Sequence, residues 1–332
     1  MRVQIDGTIV APSDPHIWDP NSPRTWLVFN KLNSFIIQGD GVIEGNGGEW
    51  WGESCKRKQA FTIDSSSSVE MSGLTIRNGQ QMNVIITHSK YVLLSNVTVS
   101  APASSPNTDG IHLTSSTNVV LQNCTIGTGD DCISIVDGCS DIKMTNISCG
   151  PGHGISIGSL GQNNSTGKVQ RVVLDTAYLK DTTNGLRIKT YQGGSGYVKS
   201  VSFQNVQMDN VSNPIIINQF YCDSPKKCRI QVKKSAVNIS QITYSNVTGI
   251  SQTKEAMTFA CSDTVPCTDI ILSNICLHNK DGTAETYCNS ASGITKGFVQ
   301  PPADCLLSSD KAKIMENEEE ITGEEHVIHT EL

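Results

Sequence analysis

The stretch VLLSNVTV (92–99) decides the fold, because the same eight-residue phrase returns along most of the chain. The phrase has apolar residues at its first, third, sixth and eighth places, and its fifth residue is usually asparagine. Other copies start at Val69 (VEMSGLTI), Val119 (VVLQNCTI), Ile142 (IKMTNISC), Val172 (VVLDTAYL), Val201 (VSFQNVQM), Ile242 (ITYSNVTG) and Ile270 (IILSNICL), with a looser copy at Phe35 (FIIQGDGV). Most successive copies start 23 to 30 residues apart. The alternation of apolar and polar residues within each copy predicts a β-strand.

Strand units that recur at this spacing without intervening helices are typical of a β-solenoid. Leucine-rich repeats are excluded because their characteristic pattern of leucines is absent here. Propeller blades are excluded because each blade needs about 40 residues. Connections between parallel strands are overwhelmingly right-handed. The sequence therefore predicts an all-β, single-domain, right-handed parallel β-helix of roughly nine to ten coils over residues 1–308. The recurring asparagine is expected to be scaffold, because it tolerates left-handed backbone and its amides can bond along a stack.

A second short strand follows each phrase, and five of these strands can be aligned. They are NVIIT (83–87), DGIHL (109–113), DCISI (131–135), HGISI (153–157) and NGLRI (184–188). Adjacent coils lie roughly 4.8 Å apart, so Asp109, Asp131 and His153 should stack, with Asp130 beside Asp131. Alternation further predicts one outward row on this face, made of His112, Ser134, Ser156, Arg187 and Lys189. His112 is expected to be structural or to support the site indirectly.

Three carboxylates, an imidazole and two cations on one face point to acid–base chemistry. Like charges stacked across a sheet are destabilising, so a purely structural protein has little reason to keep them together. Close carboxylates push their pKa values apart, so that one can hold a proton while its neighbours stay ionised. That division suits glycoside hydrolysis. Arg187 and Lys189 would then bind an anionic sugar, the arginine through a bidentate fork and the lysine as a point charge.

Composition narrows the partners. The chain has 332 residues, 37% hydrophobic and 17% charged, with a net charge of −7. Residues 309–332 carry a net −6 of this charge, and we expect them to form an acidic, disordered tail. No long basic block suggests nucleic acid, and no apolar run could cross a bilayer. We therefore expect a monomer that binds neither nucleic acid nor membrane.

Cysteines and sequons favour the secretory pathway. Twelve cysteines occur without a paired C-x-x-C, and two five-residue gaps predict small disulfide loops, Cys222–Cys228 and Cys261–Cys267. Eight asparagines stand in N-x-S/T sequons, at positions 96, 123, 146, 163, 164, 210, 238 and 246. The first residues contain no apolar signal segment. We interpret the chain as a secreted protein whose beginning is missing.

Four blocks in order resemble the signature of the polygalacturonase family of pectin-degrading hydrolases, in its plant style. They are NTDGIH (107–112), GDDCISI (129–135), GHGISIGS (152–159) and RIK (187–189), and the similarity runs from about Val3 to Cys305. The resemblance implies hydrolysis of α-1,4-galacturonosyl bonds with inversion and with neither metal nor other cofactor. It also implies a plant cell-wall enzyme that acts in wall remodelling or degradation.

The resemblance assigns roles residue by residue. Asp130 resembles the general acid, and Asp109 with Asp131 resembles the pair that activates water. His153 resembles the histidine that tunes the acid, and Tyr221 resembles a tyrosine of the subsite beside the scissile bond. Arg187 and Lys189 resemble the clamp for a substrate carboxylate. The resemblance also implies the disulfides Cys132–Cys149 and Cys288–Cys305. It further implies an N-terminal capping segment, which we expect to be missing from this chain.

Two other functions remain open from sequence. One is a calcium-dependent pectate lyase, which shares the solenoid but needs an arginine base and acidic calcium ligands. The other is a catalytically silent solenoid that binds pectin, or fails to fold without its cap. Tyr191, which stands where plant members usually have tryptophan, is a mild departure in a substrate wall.

Overall fold

Each eight-residue phrase forms a strand in the computed structural model, which describes residues 1–14, 17–18, 25–52, 59–223 and 236–306. Strands from successive phrases pair side by side in parallel, with matching places in register. Val92 pairs with Val119, and Val119 pairs with Ile142. The phrase is therefore the repeating unit of a solenoid wall, as the sequence predicts.

The described strands form two long parallel sheets, A with fifteen strands and B with ten. The main path of sheet A contains β1 (Arg2–Gln4), β4 (Asn33–Gln38), β7 (Ser67–Ser72), β10 (Lys90–Ser95), β13 (Thr117–Gly127), β15 (Cys139–Cys149), β17 (Thr166–Lys180), β19 (Ser195–Val211), β21 (Asn238–Ser251), β23 (Cys267–Asn279) and β25 (Ala291–Gln300). Beside this path lie β2 (Thr8–Val10), β5 (Val42–Glu44), β8 (Thr75–Arg77) and β11 (Thr98–Ser100). Sheet B contains β3 (Thr25–Asn30), β6 (Gln59–Asp64), β9 (Val84–Thr87), β12 (Ile111–Thr114), β14 (Ile133–Ile135), β16 (Ile155–Leu160), β18 (Asn184–Tyr191), β20 (Asn213–Tyr221), β22 (Glu255–Ala260) and β24 (Glu285–Asn289).

The chain alternates between the two sheets, so each turn of the solenoid contributes one strand of sheet B. Its ten described strands agree with the predicted nine to ten coils of a right-handed parallel β-helix. Helix is rare in the described residues, which contain one α-helical turn, α1 (Gly48–Trp51), and 3₁₀ turns such as Gln162–Asn164 and Asp304–Leu306. None of the described helices is long and apolar enough to cross a membrane.

The asparagine at the fifth place of the phrase bends the long strands of sheet A. Asn96, Asn123 and Asn146 have φ of 53° to 54°, in the left-handed region that asparagine tolerates better than most residues. Their amides form a ladder along the solenoid. Asn146 Nδ2 donates to Asn123 Oδ1 at 2.9 Å, and Asn123 Nδ2 donates to Asn96 Oδ1 at 3.2 Å. The asparagine is therefore scaffold, as predicted.

The same ladder continues at Asn205, Asn246 and Asn274 through hydrogen bonds of 3.0 and 3.3 Å between their side-chain amides. Thr176 replaces asparagine in the intervening coil and keeps the left-handed backbone, with φ of 65°. Four of the eight sequon asparagines belong to this ladder: 96, 123, 146 and 246. Half of the sequons thus have a structural reason that is independent of glycosylation.

The core runs along the solenoid axis between the sheets. Ile111, Ile133, Ile155 and Leu186 stack in register on the inner face of sheet B, and all are fully buried. Each such side chain contributes about 1.5–3 kcal/mol through burial of its apolar surface. Because the inward residues are fixed in this way, the alternate residues of the same strands must face outward.

Three of the four predicted disulfides lie within the described residues and are formed. They join Cys132 to Cys149, Cys261 to Cys267 and Cys288 to Cys305. Cys228 of the predicted Cys222–Cys228 loop lies outside the described residues. The predicted acidic tail, 309–332, also lies outside them.

Candidate active site

The outer face of sheet B carries one continuous row of polar side chains across four coils. His112 pairs in register with Ser134, Ser134 with Ser156, and Ser156 with Arg187. This is the row that strand alternation predicts. Lys189 follows Arg187 on the same face of β18, two residues further along.

The predicted catalytic residues lie immediately before these strands, where backbone hydrogen bonds continue the coil stacking. Gly110 N–H donates to the carbonyl of Asp131 at 2.9 Å, and His153 N–H donates to the carbonyl of Asp130 at 2.8 Å. The Asp109 carboxylate reaches Ser134 on the outer face, although strand alternation from Ile111 would turn Asp109 inward. The chain is irregular at residues 108–110 and again at 128–132, so strand alternation does not set the direction of the three carboxylates.

Asp131 lies at the centre of the cluster, with only 2% of its side chain exposed. Arg187 Nη2 donates to Oδ1 at 2.5 Å, and Lys189 Nζ donates to Oδ2 at 2.9 Å. Ser156 Oγ donates a third hydrogen bond, to Oδ1, at 2.8 Å. Two cations and a hydroxyl therefore compensate one buried carboxylate, which would otherwise be very costly to desolvate.

The contacts of Asp131 with Arg187 and Lys189 correct the expectation that these two cations point out into solvent. Arg187 and Lys189 lie on the outer face as predicted, but they do not extend freely into solvent. Their side chains are only 13% and 9% exposed, and both pair with Asp131. The buried carboxylate of Asp131 lies on the same face, within hydrogen-bond distance of both cations.

Asp130 forms a pair with His153 on the next coil. His153 Nδ1 donates to Asp130 Oδ1 at 2.9 Å, and Asn107 Nδ2 donates to Asp130 Oδ2 at 3.2 Å. Burial alone would raise the pKa of Asp130, but the hydrogen bond and charge of His153, with Lys189 nearby, lower it to about 2. The hydrogen bond with Asp130 raises the pKa of His153. In the free protein the proton of this pair therefore lies on His153.

Asp109 has the opposite electrostatic environment. Burial raises its pKa, a hydrogen bond with His112 opposes the shift, and the negative charges of Asp131 and Asp130 add to it. Ser134 Oγ donates to Asp109 Oδ2 at 2.6 Å, and His112 Nδ1 lies 2.7 Å from the same hydroxyl. The cluster thus contains one carboxylate that favours a proton and one that disfavours it.

Tyr221 completes one side of the site. Its ring packs edge-to-face against Tyr191 at 5.2 Å between centroids, and Lys189 Nζ lies 5.2 Å from the centre of the Tyr221 ring. Burial raises the pKa of Tyr221 to about 12, so its hydroxyl remains a hydrogen-bond donor. Sequence resemblance identified both tyrosines, and the fold brings them together beside Lys189.

A metal ion fits this donor set poorly. One ligand atom each from Asp130, Asp131 and His153 lie within 4.8 Å of one another, which is the spacing of a possible metal site. However, both oxygens of Asp131 already accept from Arg187 and Lys189. A divalent cation would have to displace two positive groups or lie against them, which Coulomb repulsion opposes.

Sequence reasoning assigned no role to three residues that contact the carboxylates directly. Ser134 and Ser156 were recognised only as outward residues, and Asn107 only as part of a motif. The repeated hydroxyl in the outward row, in ISI (133–135) and ISI (155–157), is the signal that could have identified the serines.

Comparison with known proteins identifies the family of the chain. The family model described as glycosyl hydrolases family 28 matches residues 1–297. A protein named "Probable polygalacturonase" in Arabidopsis thaliana is 45% identical over 327 residues, which cover 95% of this chain and 72% of the relative. A polygalacturonase of Persea americana is 45% identical over 316 residues, which cover 92% of this chain and 68% of the relative. Across the plant relatives compared, the chain spans 62% to 72% of their lengths.

Solved structures share the solenoid. The endo-xylogalacturonan hydrolase of Aspergillus tubingensis superposes with a TM-score of 0.79 at 24% identity, covering 91% of this chain and 86% of that one. Endopolygalacturonase I of Stereum purpureum, solved with two galacturonates, gives a TM-score of 0.69 at 22% identity, covering 89% of this chain and 94% of that one. At these identities the structural similarity establishes the fold, while the family model and the plant relatives establish the family. The chain belongs to glycosyl hydrolases family 28.

Proposed function

We propose that the protein hydrolyses α-1,4-galacturonosyl linkages of polygalacturonan outside the cell, by inverting acid–base catalysis. The observation that carries the proposal is the pairing of Arg187 and Lys189 with Asp131 at the centre of a three-carboxylate cluster. This arrangement supplies ionised carboxylates and a proton held on His153 beside Asp130, together with cations for an acidic sugar.

In the proposed mechanism, Asp130 protonates the leaving glycosidic oxygen. Its proton is held on His153 between turnovers, because the hydrogen bond raises the pKa of the imidazole. Asp109 and Asp131 orient and deprotonate a water molecule that attacks the anomeric carbon from the opposite side. The glycosidic bond breaks, the water oxygen becomes the new hydroxyl, and inversion follows from attack on the opposite face.

Arg187 and Lys189 bind the carboxylate of the sugar by sharing their donors with Asp131. Arg187 presents further N–H groups beyond the one given to Asp131, so it can hold both anions. Tyr221, beside Lys189, forms the adjoining wall of the sugar subsite.

The test is product analysis with purified protein and polygalacturonate. Reducing ends should appear without unsaturated, ultraviolet-absorbing ends, and a chelator should not change the rate. Proton magnetic resonance of the first products should show the β-anomer. Unsaturated products that disappear with chelator would instead identify a lyase. Binding of the polymer without cleavage would identify a silent solenoid.

The same reaction distinguishes endo from exo action. Viscosity should fall early, before many reducing ends appear, if cuts occur within the chain. A slow loss of viscosity in proportion to reducing ends would indicate attack from the chain end.

A further inference from the structure

Ser134 and Ser156 occupy equivalent positions on adjacent coils, and each donates to one carboxylate of the water-activating pair. Ser134 Oγ donates to Asp109 Oδ2 at 2.6 Å, and Ser156 Oγ donates to Asp131 Oδ1 at 2.8 Å. Each serine follows its aspartate by 25 positions, and both are 98% buried or more. Asp109 and Asp131 therefore each accept a hydrogen bond from a buried serine hydroxyl.

The other hydrogen-bond partner of each serine differs in chemistry. Ser156 Oγ accepts from Arg187 Nε at 2.9 Å, and a guanidinium can only donate. The single hydroxyl hydrogen of Ser156 must therefore point at Asp131 Oδ1. Arg187 also donates to Oδ1 and Lys189 donates to Oδ2, so both oxygens of Asp131 accept and the group is held as a carboxylate. The polarity of this chain of hydrogen bonds is fixed.

Ser134 is paired instead with His112, whose Nδ1 lies 2.7 Å from Oγ. A neutral imidazole nitrogen can donate or accept, depending on its tautomer. When Asp109 is ionised, His112 donates to Ser134 and Ser134 donates to Asp109. When Asp109 carries a proton, both hydrogen bonds can reverse, and no buried donor or acceptor is left without a partner.

We propose that Ser134 and Ser156 are positioning residues that give the two water-activating carboxylates different tasks. Ser134, with His112, allows Asp109 to take the proton from the attacking water. Ser156, with Arg187, holds Asp131 as a carboxylate that orients the water without accepting its proton. This division rests on the proposed function and goes beyond it, because a water-activating pair alone does not say which member is the base.

The protons balance over one turnover. Water loses one proton to Asp109 as its oxygen bonds to the anomeric carbon, and the leaving oxygen gains one from Asp130. The proton on Asp109 then leaves to solvent and another returns to the Asp130–His153 pair. Charged neighbours of Asp109 are Asp130 and Asp131, with His112 on its own coil, and burial with the two aspartates favours the protonated state.

Chemical rescue distinguishes the two carboxylates. Asp109→Ala and Asp131→Ala both leave space near the water, and formate can then serve as an external base. Formate should raise the turnover of Asp109→Ala by about tenfold or more, because the missing function is proton acceptance. It should not rescue Asp131→Ala. Rescue of Asp131→Ala instead, or of both variants equally, would overturn the division.

Matched serine variants test the proposed roles of Ser134 and Ser156. Ser134→Ala removes a donor to the ionised form of Asp109, so the acidic limb of the rate profile should move to higher pH and kcat should fall. A drop of about 10- to 100-fold is expected from the loss of one hydrogen bond to a charged group. Ser134→Thr, which keeps the hydroxyl, should restore most of the rate.

Ser156→Ala should leave the acidic limb in place and mainly raise KM, because Arg187 loses the acceptor that orients it. Identical pH profiles in both alanine variants would contradict the proposal. Titration of the Asp109 carboxyl by ¹³C magnetic resonance provides a readout that does not depend on turnover. If the titration midpoint of Asp109 moves to higher pH in Ser134→Ala but not in Ser156→Ala, the proposed role of Ser134 is supported even if polygalacturonate is not cleaved. If the enzyme cleaves polygalacturonate but the midpoint does not move, the role of Ser134 is refuted and the proposed function stands.

Discussion

Lys189 Nζ donates to Asp131 Oδ2 at 2.9 Å, although the two residues are 58 positions apart in the chain. Two coils of the solenoid separate them, and the contact forms because the long side chain of Lys189 extends along the outer face of sheet B to the start of β14. A cation proposed to bind substrate is thus already bound to a carboxylate proposed to activate water. In that proposal, Lys189 serves both substrate recognition and charge compensation within the site.

Lys189→Ala should therefore impair both binding and turnover. The loss of a cation near the sugar carboxylate should raise KM for polygalacturonate, and kcat should fall because Asp131 retains only Arg187 as a charged partner. The effect should be smaller on a fully methyl-esterified polymer, if that is cleaved. Lys180→Ala is the matched control, because its ammonium is half exposed and pairs loosely with Asp209 at 3.6 Å. Equal losses on both polymers would mean that Lys189 has a structural role alone.

Asp130→Asn should keep the fold and lose turnover. Asparagine is isosteric with aspartate, accepts from His153 through its carbonyl, and cannot give a proton to the leaving oxygen. The expected fall in kcat is about 10² to 10⁴, the usual worth of one positioned acid or base. Circular dichroism verifies the fold, and near-normal turnover in a folded variant would refute the assignment of the acid.

The pH profile should be bell-shaped, with macroscopic constants that belong to the coupled cluster. The acidic limb should lie above 3.8, the ordinary aspartate value, because burial raises the pKa of Asp109 and protonation removes the base. The basic limb should lie above the ordinary histidine value of 6.5, because the hydrogen bond with Asp130 raises the pKa of His153.

His153→Ala should move the basic limb to lower pH. The variant loses the group that holds the proton near neutrality, and Asp130, freed from the imidazolium, regains a pKa above its present value of about 2. Activity should then fall far more at neutral pH than at acidic pH. A basic limb that does not move would show that His153 is not part of the proton-holding pair.

Asp109→Asn should stabilise the protein at neutral pH. The folded-state pKa of Asp109 is raised by burial above the ordinary value, so the folded protein binds more protons than the unfolded one between the two values. Stability therefore falls as pH rises through the raised pKa, and a neutral amide avoids that loss. Thermal melting should show a higher Tm for the variant at neutral pH and no gain below 3.8, where wild-type Asp109 is already protonated. Asp175→Asn, at an exposed carboxylate whose pKa is lowered by hydrogen bonds with Asn205 and Gln204, should give no gain.

Asn123→Ala should destabilise the protein more than Asn123→Gly. Both variants remove the amide that joins Asn96 to Asn146, but only alanine must place a Cβ at φ of 54°. The difference in free energy of unfolding should be about 1–2 kcal/mol, the cost of left-handed backbone for a residue with a side chain. Thr125→Ala removes the same sequon and leaves the ladder intact, so it separates any effect of a glycan. Equal stability of the two Asn123 variants would show that the backbone conformation relaxes.

The sequence was sufficient to predict the coil, the two strands within it and the outward row. Those features follow from apolar periodicity, since Ile133 and Ile155 can only be buried if Ser134 and Ser156 face out. The irregular backbone that turns Asp109 outward could not be predicted, because periodicity ends where the strand ends. The ion pairs of Asp131 were also missed, because they depend on the rotamers of long side chains two coils away.

The five strands that build the site, β12, β14, β16, β18 and β20, have three described sheet B strands on one side along the solenoid and two on the other. A solenoid coil contacts only its neighbours, so opening can start at either end and need not reach the middle. Turnover therefore reports the integrity of the central coils alone. Partial fraying should appear first as faster amide hydrogen exchange in β3 and β24, while the rate of the enzyme is unchanged.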